Sequence, residues 1–222
     1  MNRIELTSDL SPTLYSEEFE QTYHSHHGAI SESMHVFIQN GLEKWLFSGK
    51  KKLRIFEMGF GTGLNAALTW QYALKYDLEI EYETIELFPV NANLICDFKT
   101  LDEDLNQKIQ ILHKIDWEKQ FDFRQFQFTK KRVSLIDYAS DILFDLIYFD
   151  AFSPNAQPEL WTESIFEKMY QLLNPNGILT TYCAKGEVKR NLKKVGFEVQ
   201  SPPGAMGKRE MTVAVKNITN LS

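Results

Sequence analysis

With 222 residues, 43% hydrophobic and 24% charged, the chain has the size and makeup of one large α/β unit with a small extension. A net charge of −6 excludes a protein that coats nucleic acid indiscriminately, and two cysteines, Cys96 and Cys183, exclude a disulfide framework. No stretch reaches the length of a membrane span and residues 1–30 lack the apolar core of a signal peptide, so a reducing cytoplasm is the expected compartment, with both thiols buried in apolar settings.

Residues 1–48 read as an N-terminal extension with short strands near 13–15 and 35–38. Four of the five histidines, His24, His26, His27 and His35, lie within a twelve-residue stretch of it. Their spacing fits no zinc template and no cysteine stands beside them, so no metal is expected. The segment reads as a polar flap over a ligand edge, with Tyr15, Tyr23 and Glu32 turned inward, or as an exposed hairpin. Residues 49–222 alternate strand and helix. Strands are expected at 53–58, 80–85, 121–128, 144–149 and 178–183, and helices at 62–76, 89–101, 158–173 and 187–195. A turn falls at 174–177, and two closing strands at 197–200 and 211–215. This alternation predicts a Rossmann-like α/β fold: a mostly parallel seven-stranded sheet ending in an antiparallel hairpin. Gly59, Glu86, Asp150 and Cys183 all fall at strand carboxyl ends, where such sheets bind ligands.

The first strand runs into Gly59-Phe60-Gly61-Thr62-Gly63-Leu64-Asn65. Three glycines at alternate positions before a helix let bare backbone approach a small ligand, or simply make a tight turn. A dinucleotide motif needs a glycine where Leu64 stands. The G-x-G-x-G order, with Glu57 for an ammonium and Glu86 for ribose hydroxyls, points instead to S-adenosyl-L-methionine. Asp150-Ala151-Phe152-Ser153-Pro154 follows the central strand. Asp150 is a turn carboxylate or the group that receives an acceptor amine. An alkyl amine of pKa about 10.4 needs roughly 4–5 kcal/mol to be free at pH 7. A desolvated carboxylate takes part of that load, and Phe152, Pro154 and Trp161 are its candidate dry wall or plain core.

Residues 185–209 carry net +5 through Lys185, Lys189, Arg190, Lys193, Lys194, Lys208 and Arg209 against Glu187 and Glu198. That is a solvated helix face, or a surface for a phosphate-bearing substrate.

Further blocks join these: Tyr23-His24-Ser25, Gly28-Ala29-Ile30-Ser31-Glu32-Ser33, Leu160-Trp161, Thr181-Tyr182-Cys183-Ala184-Lys185-Gly186 and Gly207-Lys208-Arg209-Glu210-Met211. With the glycine loop and the residue 149–154 block, they span most of the chain. Together they resemble the methyltransferase domain of the bacterial bifunctional tRNA 5-methylaminomethyl-2-thiouridine biosynthesis enzyme and its stand-alone relatives. The resemblance implies a class I S-adenosylmethionine-dependent methyltransferase fold over 49–222. It implies methylation of the 5-aminomethyl group of the tRNA anticodon wobble (2-thio)uridine. Gly59, Gly61, Gly63 and Asn65 would line the cofactor, Glu86 its ribose, and Asp150 the amine. Tyr23, Glu32 and Trp161 would face the substrate, and Lys185, Lys189, Arg190, Lys208 and Arg209 the tRNA. Bifunctional members also carry a flavin oxidase half, for which 222 residues leave no room, so the expectation is that either another protein supplies the precursor or an upstream pathway makes it directly. The adenine contact is unassigned, since residues 129–134 hold no acid, Asp137 comes late and Asp116 early. Two other readings share parts of the pattern. One is an aminopropyltransferase of the spermidine-synthase type, which has an Asp in its glycine loop where Thr62 stands. The other is a silent RNA-binding module, which has no use for Glu86 and Asp150 together.

Overall fold

A computed structural model of the protein describes residues 2–205 and 209–217. At its start, β1 (Arg3–Leu6), β2 (Pro12–Ser16) and β3 (Gln21–Thr22) form a small antiparallel sheet in that order. Asp9 fastens it to the next element: its carboxylate accepts from Ser11 N at 3.1 Å, Ser31 N at 3.2 Å and the Ser31 hydroxyl at 2.7 Å. Burial pushes that carboxyl up, but these bonds and one from Thr7 outweigh it and hold it well below the carboxylate range.

Residues 29–46 are helical throughout: α1 (Ala29–Ser33), a wide π-helical stretch (Met34–Glu43) and α2 (Lys44–Leu46). The strand expected at 35–38 is therefore absent. Val36, Phe37, Ile38, Leu42 and Trp45 all enter the main core, and so short an apolar run carries no period that separates a strand from a buried helix. The helix lies close on the sheet. A Cβ on Gly41 would sit 3.2 Å from the Tyr148 ring and 3.3 Å from the Thr180 methyl.

The main sheet is built from β4 (Lys52–Met58), β5 (Glu79–Ile85), β6 (Gln120–Phe123), β7 (Phe126–Lys131), β8 (Phe144–Phe149), β9 (Leu173–Thr181), β10 (Glu198–Gln200) and β11 (Thr212–Val215). Their spatial order is β10-β11-β9-β8-β4-β5-β7-β6. The pairs β9-β8, β8-β4, β4-β5 and β5-β7 are parallel, and the outer strands pair antiparallel. After β4 the chain winds outward through β5 and β7, then returns to place β8 on the other side of β4. The winding thus reverses between β4 and β8, which opens a crevice at their carboxyl ends. Helices α3 (Leu64–Tyr76), α4 (Ala92–Asp97), α5 (Glu103–Lys114), α6 (Glu163–Leu172) and α7 (Gly186–Val195) complete the unit.

Several details differ from the sequence reading. The eighth strand arises because residues 121–128 form a hairpin: Arg124 turns the chain with φ +58°, and Phe121 pairs with Phe128. Alternation of aromatic and polar residues is the same on both arms, so it conceals the turn. Helix α5 was unassigned in the sequence, although Asp102 caps it by accepting from Leu105 N at 3.0 Å, and Leu105, Ile109 and Leu112 repeat on its buried face. The helix expected over 158–173 breaks at Thr162 into a 3₁₀ turn (Pro158–Trp161) and α6, because the Thr162 hydroxyl caps Ile165 N. The turn expected at 174–177 is a kink inside β9, with Asn176 at φ +63° and a register slip against β8. Cys183 is buried, but Cys96 is exposed on the outer face of the short helix α4, whose Ile95 faces inward.

Lys130 is a buried cation on β7. Its ammonium donates to Leu112 O and His113 O, each at 2.9 Å, and so closes the last turn of α5. Burial lowers its pKa to about 8, with Asp116 opposing. Lys130→Met orphans both carbonyls, and we expect a loss of roughly 2 kcal/mol, or about 4–8 °C in Tm by calorimetry. An unchanged Tm contradicts this capping role.

Candidate active site

A cavity of about 650 Å³ opens at the reversal point, roofed by the N-terminal sheet. Its floor is the glycine loop. Gly59 takes φ +96°, and a Cβ there would lie 2.6 Å from the carbonyl of Asp150, so only glycine lets the tips of β4 and β8 meet. Gly61 takes φ +48° and lies under the Tyr23 ring, 3.0 Å from where a Cβ would stand. Gly63 does not line the cavity. It makes room for Phe60 and His113, and His113 Nε2 bonds Thr62 O at 3.0 Å to brace the loop from behind. Burial lowers the His113 pKa to about 4, so the ring is neutral at pH 7.

Glu86 stands beyond the tip of β5 on the cavity wall. Its carboxylate accepts from Gly61 N at 3.1 Å and Phe88 N at 2.8 Å. Burial pushes the group up while these amides pull it down. A carboxylate offers about four lone-pair positions, and those amides use two of them. Asp150 follows β8, with its amide on Met58 O at 3.0 Å. Asn65, in the first turn of α3, donates from Nδ2 to Asp150 Oδ2 at 2.9 Å. Both residues line the cavity.

The roof is aromatic. Phe152 stacks on Phe19 at 4.4 Å and meets the Tyr23 edge at 5.0 Å. Gln21 clamps the loop after β8, donating to Ser153 Oγ at 2.7 Å and accepting from Ser153 N at 3.3 Å. Trp161 lies in the core rather than on the cavity wall, and its indole N–H holds Phe152 O at 2.9 Å. Burial, then the charge of Glu86, raises the Tyr23 phenol to about 12, so it remains protonated. Glu32 lines the cavity and accepts from Ser25 N at 2.7 Å.

Tyr182 and His24 are among the lining residues left without a role in the sequence reading. Tyr182, just past β9, donates to Ala151 O at 2.9 Å. His24 shares a 3.1 Å bond with Thr13, and burial lowers its pKa to about 4. Of the other histidines of the segment, His26 also lines the cavity and sits 4.0 Å from Glu5, whereas His35 bonds Pro203 O at 2.8 Å. Among the described residues no three His, Cys, Asp or Glu side chains gather to hold a metal ion.

Glu57 is fully buried beneath the cavity and absent from its lining. Burial above all, and then the charge of Asp150, pushes its carboxyl up to about 8. The far wall is residues 133–136. Asp137 turns back to the Ser134 hydroxyl at 2.6 Å, and Asp116 pairs with Lys119 at 2.7 Å, so neither acid lines the cavity.

The basic stretch is less cationic than its sequence. Lys189 is paired with Glu210 and donates to Ser201 at 2.7 Å, Lys194 meets Glu163 at 3.1 Å, and Lys185 reaches Asn155 at 2.6 Å. Arg190 and Arg209 are exposed. Lys208 lies outside the described residues.

The sequence profile of the S-adenosyl-L-methionine-dependent methyltransferases matches residues 98–217. The chain belongs to this family. Its cofactor is S-adenosyl-L-methionine. It is 33% identical over 215 residues to the tRNA 5-methylaminomethyl-2-thiouridine biosynthesis bifunctional protein MnmC of Cupriavidus necator, covering 90% of this chain and 32% of that one. The MnmC protein of Marinomonas sp. is 28% identical over 91% of the chain and 32% of the relative. The chain thus spans about a third of the length of these relatives. The crystal structure of MNMC2 from Aquifex aeolicus superposes with a TM-score of 0.82 at 26% identity, over 96% of this methyltransferase and 70% of that chain. A class I methyltransferase from Listeria monocytogenes shares the fold, with a TM-score of 0.52 at 13% identity.

For Glu57 a raised folded-state pKa means full stability below the unfolded value of about 4.5, and loss as pH rises through about 8. The loss is on the order of 4 kcal/mol. The ligand-free methyltransferase should therefore lose denaturation midpoint between pH 5 and 8 relative to Glu57→Gln. Parallel midpoint curves for the two proteins would refute the buried-acid account.

Proposed function

We propose that this methyltransferase acts on the 5-aminomethyl nitrogen of the tRNA anticodon wobble (2-thio)uridine, giving the 5-methylaminomethyl nucleoside. The observation that carries the reading is Asp150, a cavity-lining carboxylate at the winding reversal whose Oδ2 is fixed by Asn65 at 2.9 Å. The MnmC relatives are named for biosynthesis of that nucleoside. In this reading a separate enzyme supplies the aminomethyl precursor, and the reaction takes place in the cytoplasm.

The cavity suits the cofactor. A Cβ at Gly59 or Gly61 would fill the cradle, and the remaining lone-pair positions of Glu86 suit two ribose hydroxyls. Leu135 and Ile136 offer apolar surface to an adenine. Bound S-adenosylmethionine supplies an electrophilic methyl group. The protein's share is position and proton management. Asp150 accepts an N–H of the substrate amine and aligns its lone pair. Phe19, Phe152 and Tyr23 wall this pair from water. Asp150 then takes the proton that the nitrogen sheds and passes it to solvent. Exposed Arg190 and Arg209, with Lys185 and Lys208, attract tRNA phosphates, whereas Lys189 orders the chain near Glu210.

Single-turnover methylation of hypomodified tRNA with labelled donor tests the assignment. Asp150→Asn should slow the step by about 100-fold or more, with tRNA affinity held within threefold. A rate near wild type would remove Asp150 from the chemistry. Arg190→Ala with Arg209→Ala should flatten the log–log salt dependence of tRNA binding by about 1.5, and an unchanged slope would move the RNA off that face.

A further inference from the structure

Beneath the cavity lies a row of polar side chains with no part in the chemistry above. Glu57 is in register with Thr84 on β5 and Tyr148 on β8, and Tyr148 with Thr180 on β9. In-register residues of parallel strands face the same side, here toward α3, where Thr69 Oγ1 lies 3.4 Å from the Tyr148 hydroxyl. All four residues of the row are fully buried.

The row is poorly satisfied. Both Glu57 oxygens, the hydroxyls of Tyr82, Thr84 and Thr180, and Asn65 Oδ1 are buried without a hydrogen-bond partner. Unpaired buried atoms at this density call for a specific cause. Tyr82, Thr84 and Asn65 stand against Glu57 only as neutral donors, and no cation is among the groups acting on it, so full burial favours its uncharged form. The groups acting on Glu57 are Asp150 and Tyr148 of the β8 strand and its tip, Tyr82 and Thr84 from β5, and Asn65 from α3. Asn65 also reaches the cavity through its Nδ2 bond to Asp150. A charge change in the cavity is therefore felt directly by the buried acid.

We propose that Glu57 is the proton-release site of cofactor binding: the ligand-free protein holds it as the neutral acid, and docking of cationic S-adenosylmethionine beside Asp150 expels that proton to solvent. The proposal rests on placing the donor at the glycine loop and does not depend on the tRNA substrate. A unit positive charge about 6 Å away, in surroundings of effective dielectric about 20, alters a proton affinity by about a hundredfold. That suffices to ionise the acid near neutral pH. His24 and His113 titrate well below this window. The ligand's own amino group titrates within it, but equally for wild type and variant.

Calorimetric titration with S-adenosylmethionine alone, in two buffers of different ionisation enthalpy, counts the protons released. Wild type should release about 0.5–0.9 proton per site more than Glu57→Gln at pH 7. The excess should vanish at pH 5 and at pH 9.5. From pH 6 to 8 the wild-type affinity should rise by about 25-fold relative to the variant. Equal proton counts for both proteins across this range would overturn the proposal. Infrared difference spectra of wild type alone give a readout independent of the variant's folding. Adding S-adenosylmethionine at pH 7 should remove a buried carboxylic acid band and add carboxylate bands, and retention of the acid band would overturn it equally.

Discussion

The hydrogen bond from Asn65 to Asp150 joins the start of α3 to the tip of the central strand β8. It exists because the chain reverses its winding between β4 and β8, and because Gly59 has no side chain to keep their tips apart. Remove either condition and the carboxylate no longer stands over the glycine loop. The clamp from Gln21 to Ser153 and the Phe19–Phe152 stack then close the same crevice from above.

Three acids share this small region and differ by environment alone. Glu86 keeps backbone amides on its oxygens, which favour its charge against the effect of burial. Asp150 has a neutral amide partner and the cavity. Glu57 has no solvent and only the neutral side chains of Thr84, Asn65 and Tyr82 beside it, and burial pushes it up to about 8. In the proposed scheme a cationic cofactor bound above them changes the balance among all three at once.

The sequence was informative where one residue type has one physical use. Three glycines at alternate positions, an acid after β5 and an acid after β8 announced the carboxyl-edge site, because strand alternation puts all of them on one rim. It was uninformative where the same letters serve two geometries. His35-Val36-Phe37-Ile38 reads as a strand yet is helical, the paired arms of 121–128 read as one strand, and α5 hid its cap at Asp102. Trp161 and Gly63 were read as lining residues but support the lining from behind, a distinction set by packing depth rather than residue type. The pairing of Lys189 with Glu210 is long-range and invisible to a local charge count.

The central claim is that the amine held by Asp150 belongs to a tRNA wobble uridine. Nucleoside mass spectrometry of hypomodified tRNA treated with the purified protein and S-adenosylmethionine tests it most directly. The account predicts conversion of 5-aminomethyl-(2-thio)uridine to its N-methyl form at the wobble position. Unchanged aminomethyl nucleoside beside a cofactor-loaded protein, or methylation at any other position, would contradict it.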